Sequence, residues 1–197
     1  MAFKRLNMFY ENKKQETTEI GSAGLETTAS SARAVKVVVG ESGNKALFCY
    51  LAVWSIYRHG NGMFRTSDLE ADLCTHFVYA YLGINETTYE IASIDDWGDN
   101  KHENVGMVAK VVDLKKENPN LKVLVSVGGW SEGSIKFSTI AASAGKRRKF
   151  IDSVFNYLKA KNLDGIEIAW LIPTMRGGTD EDKANFVTLL EVRLKLS

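Results

Sequence analysis

Four apolar segments, each followed by a polar or amphipathic segment, constrain the fold of this sequence more than any other feature. They span residues 46–54, 75–82, 122–127 and 165–170. Their hydrophobic residues are nearly continuous instead of alternating with polar ones, which is typical of strands buried on both faces. Such strands alternate with helices in parallel sheets. The sequence therefore predicts an α/β fold in which parallel strands are covered by helices.

Helix-like segments follow the predicted strands. The first is short, from Thr66 to Ala71, with Thr66 or Ser67 as its N-cap. The second ends at the run 118–120, because the residue before Pro119 disfavours helical backbone. The chain therefore contains four β/α units, and the three longer helices are expected at residues 103–117, 146–161 and 180–196.

Composition excludes several classes of partner. With 197 residues, of which 45% are hydrophobic and 25% charged, the chain is long enough for one domain with a sizeable core. Its net charge of +1 creates no basic field for nucleic acid. The three histidines lie far apart in sequence, so we expect no metal site. We also expect no cofactor and no membrane partner.

The first 44 residues differ from the rest of the chain. Between Glu11 and Arg33 the sequence is rich in Thr, Ser, Glu, Lys and Ala and has few large apolar side chains. Such a segment cannot bury enough apolar surface to fold. The nearest approach to a signal-peptide core is the stretch 34–39, which Lys36 interrupts. We therefore expect a disordered leader at residues 1–44 and a folded domain at 45–197; an unusual isoform start and a gene-model artefact are the alternatives for the leader.

The fourth predicted strand carries an acidic motif in an unusual form. Residues 163–173 read L-D-G-I-E-I-A-W-L-I-P. Strand side chains alternate between two faces, so Glu167, Ala169 and Leu171 share one face. Asp164 joins them only if a bulge intervenes. The shared face therefore carries one carboxylate and two side chains without acid–base chemistry.

This motif and three other segments resemble the family 18 glycoside hydrolases, the chitinases and chitinase-like proteins. The other segments are C-Y-L-A-V-W-S-I-Y-R at 49–58, L-C-T-H-F-V-Y-A-Y at 73–81 and K-V-L-V-S-V-G-G-W at 122–130. The resemblance implies a (β/α)8 barrel, of which this chain carries the first four β/α units, a half barrel. The family motif D-G-x-D-x-D-x-E aligns with Asp164, Gly165, Glu167, Ala169 and Leu171.

The resemblance also implies what the motif does in active members. Its last acid protonates the glycosidic oxygen, and the substrate's own N-acetyl group is the nucleophile, an exception to the two-carboxylate scheme. Leu171 has no proton to donate, and Ala169 replaces an acid that orients the substrate. We therefore expect a protein that is not an enzyme and binds chitin or N-acetylglucosamine oligosaccharides weakly. Two alternatives stay open: an extracellular growth or signalling factor that acts through protein contacts, and a truncated product without independent activity.

Residues at the strand ends match family residues that line the sugar cleft. Aromatic rings stack on sugar faces, and glycine permits a close approach of the backbone. Each aromatic residue could instead pack in the core. By resemblance, the expected sugar-binding residues are Tyr50, Trp54, Tyr81, Gly129, Trp130 and Trp170.

The two cysteines lie in neighbouring predicted strands. Cys49 is in the first strand and Cys74 opens the second, so adjacent parallel strands could bring them within bridging distance. Two buried thiols are the alternative, and the resemblance adds that the family usually has a disulfide here. Asn85 begins an N-x-T glycosylation sequon. The family and these features favour an extracellular location.

A half barrel has physical consequences. It leaves the first and fourth strands with unpaired edges and uncovers the apolar interior. We therefore expect the isolated chain to be aggregated, oligomeric or loosely packed.

Overall fold

A computed structural model describes residues 7–9 and 45–191. The strands are β1 (Asn7–Phe9), β2 (Phe48–Ala52), β3 (His76–Ile84), β4 (Ile91–Ala92), β5 (Lys122–Gly128) and β6 (Gly165–Ala169). Four of them form a parallel sheet with neighbours in the order β6-β5-β3-β2, and the two short strands pair antiparallel to it, β1 to β6 and β4 to β3. This arrangement confirms the predicted parallel α/β fold.

The helices differ from the prediction in number and length. The segment expected as one helix at 103–117 is interrupted at Gly106, whose φ of +79° is left-handed. The short first helix is a 3₁₀ turn at Thr66–Asp68. Its start is held by the Asp68 carboxylate, which accepts from the Arg65 N–H at 2.7 Å, so the predicted N-cap was wrong. The α-helices are α1 (Asp96–Asn100), α2 (Met107–Asp113), α3 (Ile135–Ala141), α4 (Ala144–Lys161) and α5 (Asp182–Glu191).

The longest helix shows why these boundaries form. α4 begins after Ser143, whose hydroxyl accepts from the Lys146 N–H. A serine at this position satisfies one of the N–H groups that a helix start leaves without partners. The helix ends at Asn162, which adopts the left-handed conformation that commonly closes helices. These caps fix the residues at which α4 begins and ends. Its buried side chains, which belong to the core, are Phe150, Ile151, Val154 and Leu158.

The main hydrophobic core lies between the outer face of the sheet and the helices. Alternate residues of each strand point outward into it, as the period of two requires. Buried members of this core include Phe77, Tyr79, Val108, Val111, Val123, Val125, Phe150, Val154 and Ile166.

No helix in residues 45–191 has the length and apolar character that a membrane crossing needs.

The inner face of the sheet is buried at its centre, although we expected an uncovered interior. The inward side chains Val78, Ala80 and Leu124 are all almost completely hidden from solvent, whereas Tyr50 is 41% exposed. The sheet is also curved. The Tyr50 hydroxyl on β2 donates to Glu167 Oε1 on β6 at 2.8 Å, although two strands separate them. In a flat sheet those strands would lie about 14 Å apart.

One of the two edges that we expected to be unpaired has a partner. β1 pairs antiparallel with β6, with Asn7 opposite Glu167 and Phe9 opposite Gly165. Backbone groups at a strand edge otherwise attract other strands. The rest of the predicted leader lies outside the described residues, and the boundary at residue 45 stays a prediction.

Candidate functional site

The candidate site lies at the edge where the four parallel strands end. Parallel strands present their carboxyl ends on the same side, which is where barrel enzymes bind their ligands. Trp54 follows β2, Tyr81 lies near the end of β3, Trp130 follows β5, and Leu171 follows β6. The structure therefore brings four of the predicted motif and sugar-binding positions to one edge.

Glu167 is the carboxylate at the centre of this arrangement. Its Oε1 atom accepts the hydrogen bond from Tyr50, while its Oε2 atom is buried and has no hydrogen-bond partner among the described residues. Ser126 lies directly opposite on β5, and its buried hydroxyl likewise has no partner in this part of the chain. Buried polar groups are usually hydrogen-bonded. This polar pair inside the sheet therefore marks a place where a polar ligand or water would be stabilised.

Two further motif positions continue the inward face of β6 beyond Glu167. Ala169 is buried, and Leu171 has 44% of its surface exposed at the rim. Neither side chain can donate or accept a proton. At the rim, this face of β6 therefore carries only apolar side chains, and the Glu167 carboxylate lies deeper in the sheet.

Asp164, the first residue of the motif, lies at the opposite end of the strand. Its Oδ2 accepts from the Val123 N–H at 2.8 Å and from Lys115 Nζ at 2.9 Å. These bonds join the starts of β5 and β6 to the segment that follows α2. Asp164 therefore has a structural position, away from the edge that carries the aromatic residues.

Trp54 and Tyr81 form a stacked pair at the rim. Their ring centroids are 6.0 Å apart with an interplanar angle of 13°, and Trp54 is 46% exposed. Gly129 lies against Tyr81, because a Cβ atom built there would approach the Tyr81 ring to 2.9 Å. Its φ of +88° also favours glycine. The lack of a side chain at Gly129 therefore accommodates the Tyr81 ring, and its role in a backbone approach to substrate stays a prediction.

Trp130 is the most exposed of the predicted sugar-binding aromatic residues, at 63%. The Arg176 guanidinium lies over its ring, with Cζ 4.1 Å from the ring centroid. Arg176 Nη1 also donates to the Trp130 carbonyl oxygen. One face of the indole is thus covered by a cation, and the large remaining exposure leaves the other face open.

Trp170 does not face the cleft, so the prediction for this residue was wrong. It is only 4% exposed, its ring stacks on Phe137 at 5.3 Å, and its edge meets Phe186 at 5.2 Å. Its Nε1–H donates to Ser134 Oγ at 2.9 Å. The reason is strand alternation: Ala169 points inward, so its neighbour points outward into the helical layer.

Cys49 and Cys74 form a disulfide with their Cα atoms 6.1 Å apart, which agrees with the predicted bridge.

Asn85 lies in the exposed turn between β3 and β4. Its side-chain oxygen accepts from the N–H groups of Thr87 and Thr88 at 2.9 and 2.8 Å. Glycosylation at Asn85 stays a prediction.

Sequence reasoning missed two features of the site. Arg176 is an isolated arginine in a loop, and no local pattern signals that it reaches Trp130. A second exposed aromatic pair, Tyr57 and Trp97, has ring centroids 6.1 Å apart. For this second pair, the only sequence signal was the number of aromatic residues that follow the predicted strand ends. In residues 45–191 no group of three or more His, Cys, Asp or Glu side chains is placed to hold a metal.

Parallel strands with outer helices and a polar centre at their carboxyl ends are the arrangement of a segment of a (β/α)8 barrel. Residues 46–196 match the model of Glycosyl hydrolases family 18. The chain belongs to this family, which confirms the resemblance drawn from the strand motifs.

Individual relatives agree with this assignment. Probable chitinase 2 of Drosophila melanogaster is 38% identical over 84% of this chain and 34% of its own length. The Group IV chitinase of Ostrinia furnacalis, solved with allosamidin, is 38% identical with a TM-score of 0.69, over 75% of this chain and 39% of that one. Human YKL-39, described as a pseudo-chitinase with retained chitooligosaccharide binding, is 28% identical with a TM-score of 0.62, over 74% and 36%. The chain spans about a third of the length of the curated relatives that it matches.

Proposed function

We propose that this chain binds chitooligosaccharides at the carboxyl edge of its sheet and does not hydrolyse them. One observation carries the proposal. At the rim of β6 the motif positions hold Ala169 and Leu171, and exposed aromatic rings lie at the same edge of the sheet. The rings provide a surface for sugars, and the motif positions provide no acid.

The chemical argument concerns the general acid. Cleavage of a glycosidic bond needs a titratable proton within hydrogen-bond reach of the leaving oxygen. Glu167 cannot substitute for an acid at position 171, because the two positions are four residues apart, about 13 Å in an extended chain. Its carboxylate is also buried and bonded to Tyr50. Removal of a general acid typically lowers the rate by roughly 10² to 10⁴.

The binding argument concerns the exposed rings. Trp54, Tyr81 and Trp130 present apolar faces with polar N–H or O–H edges, the combination that suits sugar rings. The retained chitooligosaccharide binding ascribed to human YKL-39 supports the separation of binding from hydrolysis. Open rings bury less of a ligand than an enclosed pocket does. We therefore propose weak affinity, with Kd on the order of millimolar.

Turnover and binding can be tested on the same preparation. Release of a fluorescent group from chitobiose and chitotriose glycosides should stay at background, with an active family 18 chitinase as control. Turnover within tenfold of that control, on the order expected for an intact acid, would contradict the proposal. Titration with the N-acetylglucosamine tetramer should show binding that Trp130→Ala weakens and that Val187→Ala, a change of an exposed residue on α5, leaves unchanged.

We propose an extracellular location with a glycan on Asn85. The Cys49–Cys74 disulfide supports an oxidising compartment, and the exposed turn around Asn85 suits a bulky modification. Secretion from insect cells, followed by enzymatic deglycosylation with a mass decrease that Thr87→Ala abolishes, would support this. The alternatives of a signalling factor and of a product without activity stay predictions.

A further inference from the structure

The contact between Trp130 and Arg176 is built into two interlocked loops. Arg176 has a left-handed φ of +54°, which costs free energy in a residue other than glycine. Its carbonyl oxygen accepts from the Ser134 N–H at 3.1 Å, and Ser134 Oγ donates to the Ile172 carbonyl at 3.0 Å. These bonds join the loop after β6 to the loop after β5. They fix the arginine where its guanidinium covers one face of the indole.

The charge of Arg176 is not compensated by a carboxylate. In residues 45–191, no Asp or Glu lies within ion-pair distance of its guanidinium. Glu132, in the loop after β5, pairs instead with Lys136 at 2.6 Å. Ala169 and Leu171 add no negative charge. A cation with spare N–H donors therefore stands at the rim of the proposed sugar site.

Arginine and tryptophan together can recognise two parts of one ligand. A guanidinium has five N–H donors in a planar fork that matches a carboxylate. The Arg176 guanidinium uses one nitrogen, Nη1, to donate to the Trp130 carbonyl. The open face of the indole can stack on a sugar ring. A carboxylate on the neighbouring sugar, which extends past the edge of the indole, would reach the guanidinium.

We propose that the Trp130–Arg176 pair selects glycans in which a uronic acid neighbours N-acetylglucosamine, in preference to their uncharged counterparts. This inference rests on the proposed function, because it requires that sugars bind at this edge. The preference comes from charge-assisted hydrogen bonds between the carboxylate and Arg176, which are stronger than bonds between neutral groups.

The test compares two forms of one sugar. The probes are a tetrasaccharide of alternating N-acetylglucosamine and glucuronic acid, and the same tetrasaccharide with its carboxylates converted to methyl esters. Wild type should bind the acid form about three- to tenfold more tightly, the range of one charge-assisted hydrogen bond at an exposed site. The preference should shrink as salt increases.

Two variants separate specific recognition from overall charge. Arg176→Gln should abolish the preference, so that the variant binds the acid form and the ester equally within twofold. Arg148→Gln removes the same charge from the exposed surface of α4, where Arg148 pairs with Asp152 at 3.4 Å, and should keep the preference. Circular dichroism should show that both variants are folded.

The outcomes distinguish this inference from the proposed function. Binding of the N-acetylglucosamine tetramer without any preference for the acid form would overturn the inference alone. So would a preference that survives Arg176→Gln, or one that Arg148→Gln removes equally. Failure of wild type to bind the tetramer and both tetrasaccharides would overturn the inference and the proposed function together.

Discussion

The hydroxyl of Tyr50 on β2 donates a hydrogen bond of 2.8 Å to Glu167 Oε1 on β6. This bond links the first and the fourth parallel strand across the inner face of the sheet. It satisfies one oxygen of a buried carboxylate whose second oxygen has no partner in the described part of the chain. The contact therefore supports both the curvature of the sheet and the polar centre of the candidate site.

Replacement of Tyr50 by Phe should destabilise the protein. The ring would remain, but the Glu167 carboxylate would lose its hydrogen-bond donor in a buried place. A buried polar group left unsatisfied costs about 1–3 kcal/mol. Urea unfolding should show this decrease in the free energy of unfolding.

Tyr57→Phe is the matched control for that experiment. The Tyr57 hydroxyl donates to Asp95, whose side chain, unlike that of Glu167, is not buried, so water can replace the lost bond. The expected loss is less than about 1 kcal/mol. Equal losses in the two variants would show that the Tyr50–Glu167 bond has no special structural role.

Gly129→Ala should disturb the aromatic rim. The new Cβ would approach the Tyr81 ring to 2.9 Å, and the φ of +88° is unfavourable for alanine. We expect a loss of about 1–3 kcal/mol and a displaced Tyr81 ring, visible in the near-ultraviolet circular dichroism. Gly145→Ala on α4 is the control, since a Cβ atom added there would have no neighbour within 4 Å. Alanine at position 145 should stabilise the helix by about 0.5–1 kcal/mol. A Gly145→Ala variant that is less stable than Gly129→Ala would contradict the structure.

The strands were the most predictable part of the fold, because their apolar runs are long and bounded by turn residues. Period-two alternation also held the correct answer for Trp170: if Ala169 and Leu171 point inward, the residue between them must point outward. The resemblance of Trp170 to a cleft residue outweighed that signal. The position of Trp170 in the strand alternation predicted its orientation better than the family resemblance did.

Other features could not be read from local sequence. The Tyr50–Glu167 bond joins residues that are 117 positions apart and depends on the curvature of the whole sheet. α3 is only seven residues long, too short for a clear helical period. Arg176 reaches Trp130 through a left-handed backbone conformation that its residue type does not predict. Each of these depends on tertiary contacts.

The disulfide between Cys49 and Cys74 should stabilise the domain. It closes a segment with a sequence separation of 25, which corresponds to about 3–4 kcal/mol in the chain-entropy description. Reduction, or a double change to serine, should lower the free energy of unfolding by that order. Thiol labelling of the folded, unreduced protein should find no reactive cysteine, and two labelled thiols would refute the bridge.

Asp99 should make stability depend on pH. Burial raises the pKa of its carboxyl group, although the hydroxyls of Ser93 and Tyr79 donate to it. A raised pKa in the folded state means that the proton on Asp99 contributes stability below the ordinary pKa of aspartate. That contribution is lost as the pH rises through the folded value.

The variant Asp99→Asn isolates this effect because asparagine does not titrate. In urea unfolding between about pH 4 and pH 7, a range that begins near the ordinary aspartate pKa, the stability difference should shift in favour of the variant as the pH rises. A stability difference that is constant over this range, or that shifts in favour of wild type, would show that the pKa of Asp99 is not raised in the folded protein.

Saturation-transfer NMR with the N-acetylglucosamine tetramer tests the central claim most directly, because one sample reports binding and hydrolysis together. Saturation of protein signals should transfer to the sugar protons, and the reducing-end signals should keep a constant intensity over days. Binding without new reducing ends is the result that a sugar site lacking a general acid predicts. Growth of reducing-end signals, or the absence of any transfer to the sugar, would contradict it.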